Sequence, residues 1–484
     1  MQGCDGHLSA KMSASFARPY IFMPSVLLTP LSYSPDSRAW SDLLGGYRQP
    51  IWLDSGRPGS SYGRYDIMSA LPDLTVTTRG LQTRVVDSHN RVLEVSEANP
   101  LQLLESYQLA GVDTAAGMPF SGGFMGYFGY DLGRRFESLP EQAEDDIAAP
   151  EMHLGRYPWA IVQDHEQQQA WLVEHPEGQL CAELRKKIRF HDLIKHINND
   201  ENSFKISGFN KDIKEDYYHK SLARIHQYIL AGDCYQVNFA QRFTARYEGE
   251  PLAAYYRLRE TMASPFSAFY QTPAMTLLSL SPERFMAVHQ GVAETHPIKG
   301  TIARGATPEA DRANAAWLQQ SSKNRAENLM IVDLLRNDLS KHCDNVRVPA
   351  LFSLQSFANV HHLVSSVRGE LRPGVHPLQV LQDSFPGGSI TGAPKIRAME
   401  IIEELEPVRR SVYCGSIGYI SADGNMDTSI AIRTLVCANG KVHCWGGGGI
   451  VSDSDPQEEY QESLTKVRLL MTTLEENFGT AKPR

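Results

Sequence analysis

The sequence lacks most of the features by which a function is read at a glance. Positive charge is in deficit. In 484 residues, 47 Lys and Arg face 56 Asp and Glu, a formal net charge of −9. A nucleic-acid surface needs a basic patch or stripe, so no nucleic-acid partner is expected. A small anionic substrate would instead need a locally positive site, because the overall field repels it. No run of about 18 apolar residues occurs, so no membrane-spanning helix is expected. The seven cysteines (Cys4, Cys181, Cys234, Cys343, Cys414, Cys437 and Cys444) are odd in number and scattered, and none has the paired spacing of a zinc site. They read as reduced thiols of a cytoplasmic protein. Fixed-period repeats and low-complexity tracts are absent. Residues 1–22 have neither a continuous apolar core nor a small-residue cleavage site, and read as a disordered extension ahead of a second possible start at Met23.

Short strands are expected in the first half at 51–53, 74–78, 84–86 and 91–95, with helices at 100–110 and 182–198. The polar stretch 198–204 is the expected boundary between an N-terminal domain, 23–200, and a second domain, 205–478. In the second half a helix over 211–232 places Tyr217, Leu222, Ile225, Tyr228 and Ile229 at helical spacing, with Gly232 as its stop signal. A strand over 235–247 and a meander over 275–296 follow. A long helix at 308–339 with a break near Ser321 comes next, then helices at 377–383, 393–405 and 456–478. Strands are expected at 416–421, 429–438 and 441–445. Strands and helices mix without a regular βαβ alternation, so the fold class is α+β: a large two-part antiparallel sheet sandwich with outer helices, its halves packed face to face.

Four groups of residues could carry chemistry. In His296-Pro297-Ile298-Lys299-Gly300-Thr301 a lysine that ends a strand beside a glycine can point into a cleft, where loss of water lowers its pKa and frees a nucleophilic amine. On its own, a surface lysine at a turn is the commoner outcome. Glu283, in Ser281-Pro282-Glu283-Arg284, could protonate a leaving hydroxyl, or could simply form a salt bridge. Glu327 lies within a helix whose apolar positions mark it as buried. Glu459 and Glu462, three apart, share a face of the last helix, where Asp455 and Pro456 form the N-cap and first turn. Carboxylates on two helices suit Mg²⁺, which keeps several waters, although a solvated acidic first turn has the same composition. Gly446-Gly447-Gly448-Gly449 after a strand reads as an anion cradle, with Arg433 as a bidentate partner. Gly387 to Lys395 offers a second such site at a helix start. Neither glycine run fits a nucleotide fingerprint, which sets aside kinase and dehydrogenase readings. His361 and His362 read as core or orienting histidines more readily than as metal ligands.

Taken together and in this order, these segments resemble the chorismate-utilising enzymes, a family that includes anthranilate, aminodeoxychorismate, isochorismate and salicylate synthases. The match covers nearly all of 209–474. Pro297-Ile298-Lys299-Gly300-Thr301 is similar to the aminodeoxychorismate synthase form, whereas anthranilate synthases have alanine in place of that lysine. In Gly232-Asp233-Cys234-Tyr235-Gln236-Val237-Asn238, Gln236 stands where isochorismate and salicylate synthases have a water-activating lysine.

The resemblance implies an anthranilate synthase component I-like fold and amination of chorismate at C4. Lys299 would act as covalent nucleophile and Glu283 as general acid. Glu327 and Glu462 would bind Mg²⁺, with Glu459 in the outer shell. Asn324 stands where relatives usually have another acid. Thr301, His362, Ser389, Tyr413, Arg433, Gly448, Gly449 and Lys466 would line the substrate pocket. No Cys/His/Glu set of a glutaminase is recognisable, so ammonia would come from a separate glutamine amidotransferase subunit. Asp54-Ser55-Gly56 and Tyr62-Gly63-Arg64-Tyr65-Asp66 resemble the segment that binds tryptophan in some members. A tryptophan pocket would then comprise Ser55, Arg64, Tyr65, Tyr235 and Pro265. The alternatives are anthranilate synthesis and a non-catalytic subunit that binds an amino acid for regulation.

Overall fold

Neighbouring strand residues divide between two apolar cores. Ile51 and Ile67 enter one, while Trp52 and Met68 enter the other. Leu277 and Leu278 divide in the same way, as do Ala160 and Ile161. Side chains alternate across a strand, so these segments belong to a sheet buried on both faces. The computed structural model describes residues 24–60, 63–113, 117–178, 180–194, 204–357 and 360–480. The extension 1–22 and nearly all of the stretch 198–204 lie outside the described residues.

Among the described residues the strands form a 13-stranded and a 12-stranded sheet, with every pairing between named strands antiparallel. The larger core lies between the sheets and joins Ile51, Val162 and Tyr270 of one to Phe124, Leu154 and Met286 of the other. Helices Arg38–Gly45, Ala182–Ile194, Pro251–Thr261 and Pro456–Phe478 cover the outer face of the 13-stranded sheet through Trp40, Leu184, Leu258 and Leu470. This is the expected α+β sandwich with outer helices.

Its two layers, however, are not the two sequence halves. Strand Ile51–Asp54 pairs with Phe266–Gln271, and Gly123–Phe128 pairs with Ser416–Ser421. Each half satisfies the backbone groups of the other, so both sheets are shared across the expected boundary.

The meander over 275–296 is also corrected. Thr276–Ser281 lies in the 13-stranded sheet, whereas Arg284–His289 and Val292–Thr295 form a hairpin in the other. Likewise 429–438 is two strands: Met426–Ile430 in the 12-stranded sheet and Thr434–Ala438 in the 13-stranded one.

The helix expected over 308–339 is Pro308–Gln320 followed by Ser322–Ser340. The break falls at Ser321, whose side chain accepts from Asn324 N as an N-cap. Asp455 caps Pro456–Phe478 by accepting from Gln457 N and Glu458 N, each at 2.9 Å. In helix Glu215–Leu230 the buried positions include Tyr218, Leu222 and Ile225. Tyr217 faces outward and donates to Leu405 O. No helix among the described residues is long and apolar enough to cross a membrane.

Candidate active site

Two of the links between the sheets carry Glu283 and Arg433. Ile430 N donates to Glu283 O and Leu280 N donates to Arg433 O, so the links run side by side. Glu283 is buried, 6% exposed. The adjacent Arg284 takes Asp427 as its ion-pair partner, which leaves the Glu283 carboxyl to the crevice. Burial raises its pKa. The charge of Lys299 and hydrogen bonds from the Ile298 backbone and the Ser389 hydroxyl oppose that rise only in part, and it settles at about 7. This corresponds to a preference for the neutral acid on the order of 3 kcal/mol over an ordinary glutamate.

Lys299 lies near the start of strand Ile298–Ala303 rather than at a strand end, in a bulge where the register against Val360–Leu371 shifts between Ile298 and Thr301. A bulge re-aims one side chain out of the ladder. The bulge requires Gly300, whose φ is +84°, and a Cβ there would meet Leu318 and Asn324 at 2.9–3.1 Å. The Lys299 ammonium is lowered in pKa by burial, with Lys466 adding to the effect. Glu327, Glu283 and Glu462 counter it without restoring the ordinary value. Lys299 Nζ donates to Ser389 O at 3.3 Å, and Ser389 Oγ donates to Glu283 Oε1 at 3.3 Å. One residue therefore holds both an amine biased toward its free base and a carboxyl biased toward its acid. Both shifts run in the direction that favours an attacking amine and a proton-giving acid.

The opposite wall carries an unpaired cation. The Arg433 guanidinium is desolvated, which lowers its pKa, and it has no hydrogen-bond or ion-pair partner among the described residues. A desolvated, unpaired guanidinium is costly unless a carboxylate or phosphate completes it. Its charge reaches His362, whose pKa falls to about 4, first through burial and then through Arg433, so the imidazole is neutral. Thr301 Oγ1 and His362 Nδ1 are 2.8 Å apart. Tyr413 stacks on Trp445 with centroids 5.6 Å apart and planes 5° off parallel. Gln236 is fully buried, yet both polar atoms of its amide lack partners among the described residues.

The glycine run is not a loop. Strand Lys441–Ile450 contains all four glycines, which pair with Asn238 to Gln241. The expected cradle is corrected accordingly, because the run serves close approach. A side chain at Gly446 would collide with Ser463 O of helix Pro456–Phe478, and one at Gly449 would meet Gln236 Nε2 at 2.7 Å. A Cβ on Gly448 would sit 2.9 Å from Glu459 Oε2 and 3.7 Å from Glu462 Oε1. The missing side chains thus let the acidic turn of the last helix rest on the sheet.

Across from it, Glu327 interacts electrostatically with Glu462. Burial raises the pKa of Glu327 and of Glu459, and Glu462 adds to both. For Glu462 itself burial also works upward, but Lys466, paired at 2.7 Å, and then Lys299 and Lys323 hold it below the ordinary value. Lys466 Nζ also donates to Gly447 O at 2.8 Å. Glu327 and Glu462, carboxylates from two helices without sulfur or imidazole, are the donor chemistry of a hard divalent cation that retains water. Among the described residues, no three acid, histidine or cysteine groups are close enough together to hold a metal ion.

The description of the chorismate binding enzymes matches residues 48–472. The chain belongs to the chorismate-binding enzyme family. It is 44% identical over 429 residues to aminodeoxychorismate synthase component 1 of Escherichia coli (strain K12), a match spanning 87% of this chain and 92% of that protein. It is 35% identical over 450 residues to anthranilate synthase component 1 of Acetivibrio thermocellus, across 88% and 90% of the two chains. The crystal structure of anthranilate synthase component I from Streptococcus pneumoniae TIGR4 matches with a TM-score of 0.75 at 31% identity, covering 85% of this chain and 92% of that one.

Not every expected residue lies in the crevice or beside it. Lys395 turns away to Asp338, 3.4 Å, and Ser384 O, 3.0 Å, because a buried lysine needs a counter-charge. The second anion site is therefore not formed, although its run supplies Ser389. His361 bonds Ser356 and Asp311, an orienting role and not a ligand's.

A separate cavity of about 410 Å³ between the sheets is lined by Arg64, Tyr65 and Pro265 together with Phe266, Arg284 and Asp427. Ser55 is turned to Asp66, to which its hydroxyl donates at 2.6 Å, and Tyr235 projects to solvent at 69% exposure, away from the cavity. Two residues not foreseen in the crevice are Trp445, which gives no sequence signal, and Lys323, whose spacing four before Glu327 could have placed it.

Proposed function

We propose that this enzyme converts chorismate and ammonia to 4-amino-4-deoxychorismate, from which a separate lyase would release 4-aminobenzoate for folate synthesis. The observation that carries the reading is the joint hold of Ser389 on Lys299 and Glu283, with the unpaired Arg433 opposite. The 44% identity to an aminodeoxychorismate synthase component 1 supports the choice of product.

Lys299 Nζ attacks C2 of the ring, the double bonds shift, and the C4–O bond breaks as Glu283 gives its proton to the departing hydroxyl, which leaves as water. Ammonia then bonds to C4, the double bonds shift back, and the C2–Nζ bond breaks. The proton that the new ammonium group loses restores Glu283. Arg433 and Tyr413 bind substrate carboxylate, Thr301 and the neutral His362 orient the ring, and the backbone at Gly448 and Gly449 closes the far side. Glu327 and Glu462, with Glu459 behind them, would hold Mg²⁺, which when bound neutralises substrate carboxylate charge. Gln236, an amide with no basic group, favours ammonia over activated water as the incoming nucleophile.

The word "component" in the relatives' names supports a second subunit, and a glutamine amidotransferase would supply the ammonia. The 410 Å³ cavity, with an aromatic and apolar wall and the charged Arg64, Arg284 and Asp427, suits an amphipathic amino acid, and tryptophan is its proposed occupant. The test is product analysis with chorismate, Mg²⁺ and ammonium. Aminodeoxychorismate is the expected product, and anthranilate would replace this reading with the other synthase activity.

A further inference from the structure

Behind the crevice lies a charged pair that touches no expected ligand. Arg410, 1% exposed, donates from Nε to Glu406 Oε2 at 2.9 Å and from Nη2 to Glu406 Oε1 at 2.7 Å. The same guanidinium donates to two carbonyls from different elements: Nη1 to Ile390 O at 2.9 Å and Nη2 to Asn238 O at 2.6 Å. Glu406 Oε1 also accepts from Ala240 N at 2.9 Å, and Tyr413 N donates to Arg410 O at 2.9 Å. The guanidinium lies 4.8 Å from the ring centroid of Tyr130 and 5.8 Å from that of Tyr413.

Every branch ends one bond or one strand from a working residue. Ile390 follows Ser389, Asn238 is paired with Gly449, and Tyr413 is part of the anion wall. A buried ion pair is weak as a source of stability, since apolar replacements often match it. What the fork supplies here is a fixed distance between two carbonyls, which only a planar guanidinium spans. We propose that Arg410 is a positioning residue that sets the Ser389 turn against strand Gln236–Gly249 and so aligns Lys299 with Glu283. The inference rests on the amination reading for its catalytic consequence, but not for its effect on Lys299.

The test compares Arg410→Lys, which keeps the charge and loses the fork, and Glu406→Gln with the unaltered protein. Steady-state amination with ammonium is measured, along with the rate at which acetic anhydride acylates Lys299 between pH 6 and 9, followed by peptide mass. Arg410→Lys is expected to lower kcat by about 10²-fold with KM for chorismate little changed, as for a small misplacement of reacting groups. Its Lys299 acylation profile should shift toward that of an ordinary lysine, because the loosened turn admits water. Glu406→Gln should show the same pattern to a lesser degree, and keeps the test open if Arg410→Lys does not fold. Wild-type kcat and a wild-type Lys299 profile in a folded variant overturn the proposal. So does a loss that appears only as lowered thermal stability. If the unaltered protein makes no aminodeoxychorismate, the amination reading fails, while the Lys299 profiles still decide the positioning role.

Discussion

Glu283 and Arg433 occupy two neighbouring links among those by which the chain passes between the sheets, each hydrogen-bonded at 3.0 Å to the strand that leads to its partner. The expected proton donor and the unpaired Arg433 guanidinium are thus carried by the same pair of crossings. Arg433 has φ of +49°, a conformation that non-glycine residues hold only where the surroundings impose it.

The acid should govern the alkaline limb of the pH profile. With its pKa near 7, Glu283 is a proton donor below that pH, so kcat/KM should fall as pH rises through about 7. Glu283→Gln should lose about 10²–10⁴-fold in kcat and lose that limb.

The same shift has a stability counterpart. A carboxyl whose folded pKa lies above its unfolded value stabilises fully below the unfolded value, about 4.5, and its contribution disappears as pH rises through about 7. Glu283→Gln should therefore gain thermal stability over wild type at pH 8 and not at pH 4, on the order of 1–3 kcal/mol. Melting curves at the two pH values check it. An equal difference at both would remove burial as the cause of the shift.

Divalent-metal dependence should reside in the facing helices. Glu462→Gln should lose activity together with Mg²⁺ binding measured by calorimetry, and full activity in chelator would refute the carboxylate assignment.

Gly448→Ala is a finer probe. Its methyl would stand 2.9 Å from Glu459 Oε2, so the acidic turn must retreat. The protein should fold and require at least about tenfold more Mg²⁺, a change on the order of 1.4 kcal/mol. An unchanged requirement would show that the turn need not rest on the strand.

The inter-sheet cavity gives an independent test. Ala287 lines it and is half-buried, so Ala287→Phe should fill part of the space. Calorimetry should show tryptophan binding to wild type and not to the variant. Binding unaffected by the variant would place the amino-acid site elsewhere.

Much of this was legible in the sequence, for reasons of range. The N-cap at Asp455 and the helix break at Ser321 depend on contacts three residues away, and Lys299 with Gly300 is a local pattern. What was not legible depends on partners far along the chain. Nothing near 282 or 432 announces a change of sheet, because sheet membership is set by pairing with strands over a hundred residues distant. The glycines 446–449 read as an anion cradle beyond the strand's end, since glycine disfavours strands. The cause of their presence, Ser463 and Glu459 pressing from above, is a tertiary contact. Tyr235 and Gln236 differ by one step of a two-residue period, and that step exchanges solvent for the crevice.

The most direct test of the central claim is acid quench during turnover with chorismate and Mg²⁺, with ammonium withheld, followed by intact mass and peptide mapping. An adduct of chorismate less water on Lys299, absent from Lys299→Ala and discharged by ammonium to aminodeoxychorismate, is the expected result. Aminodeoxychorismate formed at the wild-type rate by Lys299→Ala, with no adduct on the wild-type protein, would contradict it.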